Sequence, residues 1–367
     1  MKISLAIALI LAVSALGSAQ AQDDVQDDAQ GVIEGTVVTG TAETNGSVSG
    51  LEATLVIWQH GPKTGASSDN SENTESGGSA ATAGTTEQRT TLTDATGAFR
   101  FEGLSTGSDY VYTVAVNYAT VDYWSDSVQV MSDNPVTSLQ LPVYETTTDA
   151  STVNVVLDHL AVQINKGAQT IQVLNYVKLH NGGDRTLVAE GANTMASHPA
   201  ALHLPLPKDA SNIAPMQGLT QENLSLTDDG LADSTPFPPG DREVVFGYDL
   251  PYSSASYLLE RAVMYPTDKL AVLMPTGNVQ IDSAQLPNRN ETDMESNKFL
   301  VMTGENLAAG TPIQLALSGL PKADRGIGAE VLQPLVLIVA VLALAGALAY
   351  WRLRPRWAAR AGRSESL

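Results

Sequence analysis

Alternating apolar and polar positions recur along most of the chain, and they predict β-strands. In residues 51–58, apolar side chains at every second position oppose more polar ones, as in a sheet with one better-buried face. Residues 110–118 and 244–250 repeat this period of two, and turn residues separate such runs. Short strands at turn-punctuated spacing favour sandwiches over helical folds. We therefore predict a mainly β chain with two tandem β-sandwich ectodomains.

The first residues have the layout of a signal peptide, predicted over 1–21. Lys2 precedes an apolar run over 3–15, and Ala19 and Ala21 are the small residues that signal peptidase accepts. Cleavage after Ala21 is expected. An uncleaved anchor is the alternative, but an apolar run of roughly 13 residues is shorter than the ~20 that cross a hydrocarbon core.

A second apolar run predicts one transmembrane helix near the C-terminus. Residues 331–351 carry no charge, and as a helix they would be about 31 Å long, close to the thickness of the hydrocarbon core. Five arginines follow within 352–367, which predicts a cytoplasmic tail and domains outside the plasma membrane. A buried core helix is one alternative. A cell-wall sorting signal is another, although residues 320–324 lack the Thr and Gly of the sortase motif.

Charge and cysteine content exclude several functions. Between the signal peptide and the end of the span, 14 Lys and Arg stand against 39 Asp and Glu, a net charge of −25. Such a surface repels nucleic acid and anionic lipid, so no nucleic-acid partner is expected. The absence of cysteine excludes disulfides, thiol nucleophiles and thiolate metal sites. Each domain must therefore be held together by its buried core.

Changes in composition predict the order of the parts. They are an acidic disordered leader (22–30), domain one (31–145), domain two (150–320), a short linker (321–330), the span and the tail. Residues 61–88 lack aromatic and large aliphatic side chains and are predicted to be a floppy loop inside domain one. The Thr-rich stretch 145–149 is the predicted boundary. An Asn-Gly-Gly-Asp turn at 181–184 is predicted to close a hairpin onto Leu187.

One string in domain one is more specific than its surroundings. Residues 93–104 follow the pattern T-D-x-x-G-x-F-x-F-x-G-L. Asp94 and Gly97 suit a tight turn. Phe99 and Phe101 are two residues apart, so both rings are predicted to point toward the core.

Together with the strands at 31–38 and 51–58, this string resembles the carboxypeptidase regulatory-like domain. The resemblance covers about a third of the chain, residues 31–144, and implies a transthyretin-like or starch-binding-like sandwich of seven strands. It implies an accessory domain with weak carbohydrate or protein contact and no catalytic residues. The loop at 61–88 departs from the compact form, although insertions there cost little. Domain two is assigned to no known family; its pattern resembles extracytoplasmic Ig-like regions of bacterial surface proteins.

No residue set reaches the pattern of a catalytic or metal site. None of the five histidines begins an H-x-x-E or H-E-x-x-H motif, and the string at 46–50 has valine where a serine nucleophile belongs. A pair of catalytic carboxylates of the glycosidase type is not excluded, because two such residues are close in space and have no fixed spacing in the sequence. One cluster of soft ligands suggests copper binding, and it comprises Met195, His198 and His203. The alternative is that these are ordinary loop residues. We predict no catalytic, cofactor-binding or metal-binding residues.

Tyr118, Tyr123 and Trp124 are the best candidates for stacking on a sugar, because sugar faces pack on flat rings. Packing in the core or at a strand edge is the alternative for all three. The predicted function is a non-enzymatic, membrane-anchored extracytoplasmic protein that presents β-sandwiches to a protein or an envelope component. A carbohydrate-binding surface protein is the alternative. A metal-handling or hydrolase accessory protein of the cell envelope is the second alternative.

Overall fold

The computed structural model describes residues 30–44, 46–59, 85–190, 200–228, 230–294 and 297–322. Within these ranges no helix is long and apolar enough to cross a membrane. The predicted signal peptide, span and tail lie outside the described residues. So do nearly all of the leader, most of the linker and residues 61–84 of the predicted loop.

The first seven strands form two sheets around one core. They are β1 (Gly31–Thr39), β2 (Glu52–Gln59), β3 (Thr85–Leu92), β4 (Ala98–Leu104), β5 (Tyr110–Tyr118), β6 (Val121–Trp124) and β7 (Val136–Val143). β1 lies between antiparallel β4 and parallel β7, and the second sheet has the order β3-β2-β5-β6. Alternate side chains of both sheets meet, among them Leu55, Phe101 and Val114, each no more than 4% exposed. Domain one is therefore a β-sandwich, and the predicted mainly β fold is confirmed in the described residues.

The turn between β3 and β4 has the predicted geometry. Asp94 Oδ1 accepts hydrogen bonds from the Thr96 backbone N–H at 2.8 Å and the Thr96 hydroxyl at 2.7 Å. Gly97 has φ +82°, a conformation that favours glycine. Phe99 and Phe101 are both 4% exposed, with ring centroids 6.0 Å apart in the core. The turn residues and the paired rings thus act as the sequence predicts.

The predicted loop at 61–88 ends earlier than its composition indicates. β3 begins at Thr85, so the last residues of that loop belong to a strand. Thr86 lies opposite Trp58 of β2, and Gln88 lies opposite Val56. Pairing with β2 satisfies the backbone of these polar residues, which local composition does not reveal.

Domain two is built on one long sheet and two short ones. Its strands are β9 (Val153–Asn165), β10 (Thr170–Asn181), β12 (Leu202–Pro205), β13 (Ser211–Pro215), β14 (Leu224–Thr227), β15 (Gly230–Asp233), β16 (Gly240–Pro251), β17 (Ser256–Ala262), β18 (Thr267–Pro275), β19 (Gln280–Asp282), β20 (Asn288–Met294), β21 (Asn297–Leu307) and β22 (Pro312–Ser318). The long sheet has the order β13-β16-β10-β9-β18-β21-β20. The short sheets, β12-β15-β14 and β17-β22-β19, share one apolar core with it, in which Leu160, Phe246 and Leu315 are fully buried. Short turns of 3₁₀ helix occur at Ala150–Thr152 and Gln221–Asn223.

The long sheet also carries apolar side chains on its opposite face. Two clusters there are no more than 7% exposed and comprise Ala161, Leu174, Tyr176 and Val245 in one and Leu273 and Phe299 in the other. His159 lies beside Tyr176, with ring centroids 6.0 Å apart, and is 3% exposed. Because its central strands are buried on both faces, they contain continuous apolar runs instead of clean alternation.

The predicted boundary at 145–149 is a structured junction. β8 (Thr146–Thr147) pairs in parallel with β11 (Thr186–Leu187). The backbone N–H of Thr186 donates to the Glu145 carbonyl at 2.8 Å. The Thr41 hydroxyl of domain one donates to the carbonyl of Asp184 at 2.8 Å. The predicted hairpin onto Leu187 therefore differs from the observed pairing, in which residues after the 181–184 turn bind the interdomain segment.

Candidate functional site

The structure places Tyr118 and Tyr123 inside domain one. They are 6% and 5% exposed, and both belong to its core. The Tyr118 hydroxyl donates to Glu145 Oε1 at 2.7 Å, and burial raises its pKa. Hydrogen bonds from Thr44 and Tyr118 in turn lower the pKa of Glu145. These two rings therefore follow the core-packing alternative.

The Tyr123 hydroxyl ties domain one to the junction. It donates to the Tyr144 carbonyl at 2.9 Å and lies 2.7 Å from the hydroxyl oxygen of Thr186, which is fully buried. Burial raises the pKa of Tyr123, so its hydroxyl stays protonated at neutral pH. This residue links the two sandwiches and offers no ring face to a ligand.

Trp124 is the one predicted stacking residue whose side chain is exposed. It is 57% exposed and follows buried Tyr123 at the end of β6, so alternation directs it outward. Trp124 lies opposite Ala115 of β5, whose neighbours Val114 and Val116 point into the core. Trp124 therefore lies on the outer face of the four-stranded sheet.

A second tryptophan, absent from the sequence prediction, lies on this same face. Trp58 of β2 is 51% exposed and pairs with Val111 of β5. Val111 and Ala115 share the outward side of β5, since the intervening Tyr112 and Val114 are buried. The alternation of residues 51–58 places Trp58 on the sheet face opposite to that of Leu55. The sequence alone therefore indicates that Trp58 points outward.

We call the outward side chains of this sheet around the two tryptophans the aromatic face. Its members are Thr54, Val56, Trp58, Val111, Thr113, Ala115 and Trp124, of which Val56 is buried. Four residues of β5 and two strand spacings separate the tryptophan backbones, a distance of roughly 17 Å. The Thr113 hydroxyl lies 3.2 Å from that of Ser127 and remains exposed. Flat rings flanking hydroxyls give this surface both stacking and hydrogen-bonding groups.

A groove of about 600 Å³ with a mixed polar and apolar lining lies over the other sheet of domain one. Its lining includes Glu34, Thr36, Leu92, Arg100, Ser138 and Gln140. Arg100 pairs with Glu34 and, at 2.6 Å, with Glu102, so its charge is already matched. Among the described residues that line the groove, the aromatic ring, Phe99, is buried. The ion pairs of the groove are exposed and weak.

Among the described residues, no group of three or more His, Asp or Glu side chains is placed to hold a metal ion. Met195 and His198 of the copper hypothesis lie outside the described residues. His203 lies on β12, where its backbone N–H donates to the Tyr265 hydroxyl at 2.9 Å.

No family model and no curated protein matches this chain. Among solved structures, a candidate protease of Parabacteroides distasonis aligns at 12% identity and a TM-score of 0.31, over 46% of this chain and 41% of that protein. The major pilin SpaD of Corynebacterium diphtheriae aligns at 9% identity and 0.22, over 83% of this chain and 86% of the pilin. An N168A mutant of the major pilin of Streptococcus pyogenes aligns at 8% and 0.16, over 77% of this chain and 95% of the pilin. The chain thus spans less than half of the first protein, and TM-scores this low establish neither family nor function.

Proposed function

We propose that this chain is a non-enzymatic, membrane-anchored protein of the cell envelope that binds a glycan through the aromatic face. The observation that carries the proposal is the pair Trp58 and Trp124, each more than half exposed on one sheet. Large aromatic rings are normally buried because water solvates them poorly. Two tryptophan rings that point outward on one sheet face favour a ligand with flat apolar faces, as sugars have.

The spacing favours an extended ligand. A molecule that touches both rings must reach across roughly 17 Å of sheet, which suits an oligosaccharide better than a single sugar. Thr113 lies between the rings, and Thr54 lies beside them on β2, opposite Ala115. Both have intermediate exposure, and their hydroxyls suit hydrogen bonding to sugar hydroxyls.

The charge of the ectodomain favours a neutral glycan. A net charge of −25 between the signal peptide and the end of the span repels acidic polysaccharides. We further propose that domain one is a carboxypeptidase regulatory-like module, for which a non-catalytic accessory role is the expectation. Its seven strands in two sheets support this assignment.

Tryptophan fluorescence of the full-length protein in detergent, titrated with neutral oligosaccharides, tests glycan binding. Only two tryptophans besides Trp58 and Trp124 exist, at positions 351 and 357. Subtracting the signal of the double variant Trp58→Ala/Trp124→Ala therefore isolates the aromatic face. Each single variant is expected to weaken binding about tenfold, since stacking on one ring contributes roughly 1–1.5 kcal/mol.

Leu258→Ala is the matched control, because Leu258 is 50% exposed but lies in domain two. It should bind like the wild type. On a glycan array, equal binding by the wild type and the double variant, or no binding of the wild type to any neutral glycan, would contradict the proposal.

Membrane anchoring has its own test. The full chain should stay with membranes after carbonate washing, and a chain that ends at residue 330 should be released. External protease should reach both sandwiches in intact cells. Release of the full chain by carbonate would contradict anchoring by 331–351 and leave the glycan proposal untouched.

The edge of the other sheet favours a protein partner as a second candidate function. Arg89 caps the free edge of β4 by donating to the carbonyls of Glu102 and Gly103 at 3.4 and 3.3 Å. Within the described residues no side chain caps the outer edge of β7 in this way, and β7 pairs with β1 alone. An added strand from a partner would bind there. Ser138→Pro would remove a backbone N–H from that edge, and capture of a partner that this change abolishes would support the second candidate.

A further inference from the structure

Domain two contains a cluster of polar side chains at the centre of its core. Asp158 of β9 and Asn175 of β10 face the short sheets, alongside apolar neighbours such as Leu160 and Val173. Arg261 of β17 reaches them from the opposite layer. Asp158 and Arg261 are 5% exposed and Asn175 is fully buried.

Most polar atoms of these three residues bind one another. The Arg261 guanidinium donates to Asn175 Oδ1 at 2.8 Å and forms a close ion pair with Asp158. Asn175 Nδ2 donates to Asp158 Oδ1 at 2.8 Å and to the His159 carbonyl at 3.2 Å. The three side chains form a closed ring in which the positive charge is matched by one carboxylate.

Two buried polar atoms beside this ring have no hydrogen-bond partner among the described residues. Arg261 Nε is one, on a side chain with 0% exposure, and the hydroxyl of Tyr248 is the other. Tyr248 of β16 is 2% exposed and lies opposite Val173 of β10. Phe246 lies opposite Asn175, so Tyr248 is diagonal to Asn175 on the same core face.

Both unpartnered groups are hydrogen-bond donors that require an acceptor. Arg261 Nε–H can only donate. Burial raises the pKa of Tyr248, so its hydroxyl keeps its proton. Buried donors of this kind are nearly always satisfied, by protein or by an ordered water molecule.

We propose that one internal water molecule is bound between Arg261 and Tyr248. Its oxygen accepts from Arg261 Nε–H and from the Tyr248 hydroxyl, and its own protons are free for the lone pairs of Asp158. A water molecule commonly makes about three such bonds in protein interiors. A chloride ion would also accept from both donors, but Asp158 already matches the charge of Arg261, and a second buried anion would be uncompensated.

The variant Tyr248→Phe tests the site by the sign of its effect. If the water is present, loss of the hydroxyl removes one of its partners, and the midpoint of the domain-two transition falls by about 2–4 °C. If the site is dry, the change removes an unsatisfied buried hydroxyl, and the midpoint stays or rises. Scanning calorimetry of the full chain in detergent measures the shift.

Thr170→Val is the matched control, since Thr170 Oγ1 is also buried without a partner in the part of the chain that the structure describes, but lies at the start of β10. Its midpoint should stay or rise. A crystal structure of the full-length protein supplies an independent readout. A density peak within about 3 Å of both Arg261 Nε and the Tyr248 hydroxyl supports the water. A dry site, a direct Tyr248–Arg261 bond or a bromide peak after soaking overturns it.

Discussion

Domain one exposes two tryptophans on an outer sheet face, whereas domain two buries an ion pair in its core. The core of domain one is apolar, and Trp58 and Trp124 project from its outer sheet face. The core of domain two encloses the ion pair between Asp158 and Arg261. Side chains alternate in direction along the strands of both domains, so the difference lies in which residues occupy a few inward or outward positions.

This contrast separates stability from binding. Exposed rings contribute little to folding, whereas a buried charge that loses its partner destabilises the fold strongly. Substitutions in domain two should therefore act on stability, and substitutions on the aromatic face should act on ligand binding.

The largest effect is expected for Arg261→Met. The variant leaves Asp158 and Asn175 buried without the guanidinium, and domain two should lose about 3–5 kcal/mol of unfolding free energy. Urea unfolding of the full chain, followed by circular dichroism, measures the loss. Domain one should unfold as before, because its core contains no member of the cluster.

A matched control separates burial from charge. Arg100→Met removes an arginine that pairs with the carboxylates of Glu34 and Glu102, but its side chain is 49% exposed, and the loss of unfolding free energy should be about 1 kcal/mol or less. The double variant Asp158→Leu/Arg261→Met should recover much of the single-variant loss. If Arg261→Met were no worse than Arg100→Met, the contrast between the two domains would fail.

Acid should weaken domain two through His159. Burial lowers the pKa of His159 to about 4 from 6.5, while neighbouring Asp158 opposes the shift and Lys269 adds to it. The unfolded chain therefore binds a proton at a higher pH than the folded chain. The neutral imidazole makes its full contribution to the unfolding free energy above about pH 6.5. This contribution is lost as the pH falls toward 4, and the loss is at most about 3 kcal/mol.

Thermal unfolding at pH 7 and pH 4 measures this dependence. His159→Leu keeps an apolar group beside Tyr176 and removes the titration, so its pH-dependent loss should be smaller than that of the wild type. Thr170→Val changes no titratable group, so it should retain the wild-type slope. Equal slopes for wild type and His159→Leu would contradict the prediction.

Alternation predicts much of the aromatic face but not the junction. Tyr118 shares the series of Val114 and Val116, so the pattern alone places it in the core. Trp58 is outward for the same reason. The partners of 145–149 lie about forty residues further on, near Thr186, and no local pattern reveals such pairing.

The buried cluster was equally invisible in the sequence. Asp158, Asn175 and Arg261 lie on three strands, and each alone is typical of a solvated strand position. Only the packing of β17 over the long sheet brings them together. Charged residues at inward positions can be recognised once strand register is known, which a single sequence does not supply.

A smaller effect is expected for Tyr123→Phe at the junction. The change leaves the Tyr144 carbonyl and the buried Thr186 hydroxyl short of one partner, a loss of about 1–2 kcal/mol. Trypsin should then cut after Arg185 faster than in the wild type, as followed by mass spectrometry. Tyr110→Phe is the control, because its hydroxyl accepts only an exposed bond from Gln59. Equal cleavage rates would exclude a structural role for the Tyr123 hydroxyl.

The smallest effect on stability is expected for the residues that matter most for binding. Trp58→Ala and Trp124→Ala should each change the unfolding free energy by about 1 kcal/mol or less, since both rings are more than half exposed. Phe101→Ala in the same domain should lose about 3–5 kcal/mol, because its ring is 4% exposed. Chemical unfolding of the three variants gives the comparison. A tryptophan variant as unstable as Phe101→Ala would mean that the ring supports the fold, and any loss of glycan binding by that variant would then follow from unfolding instead of from a lost contact.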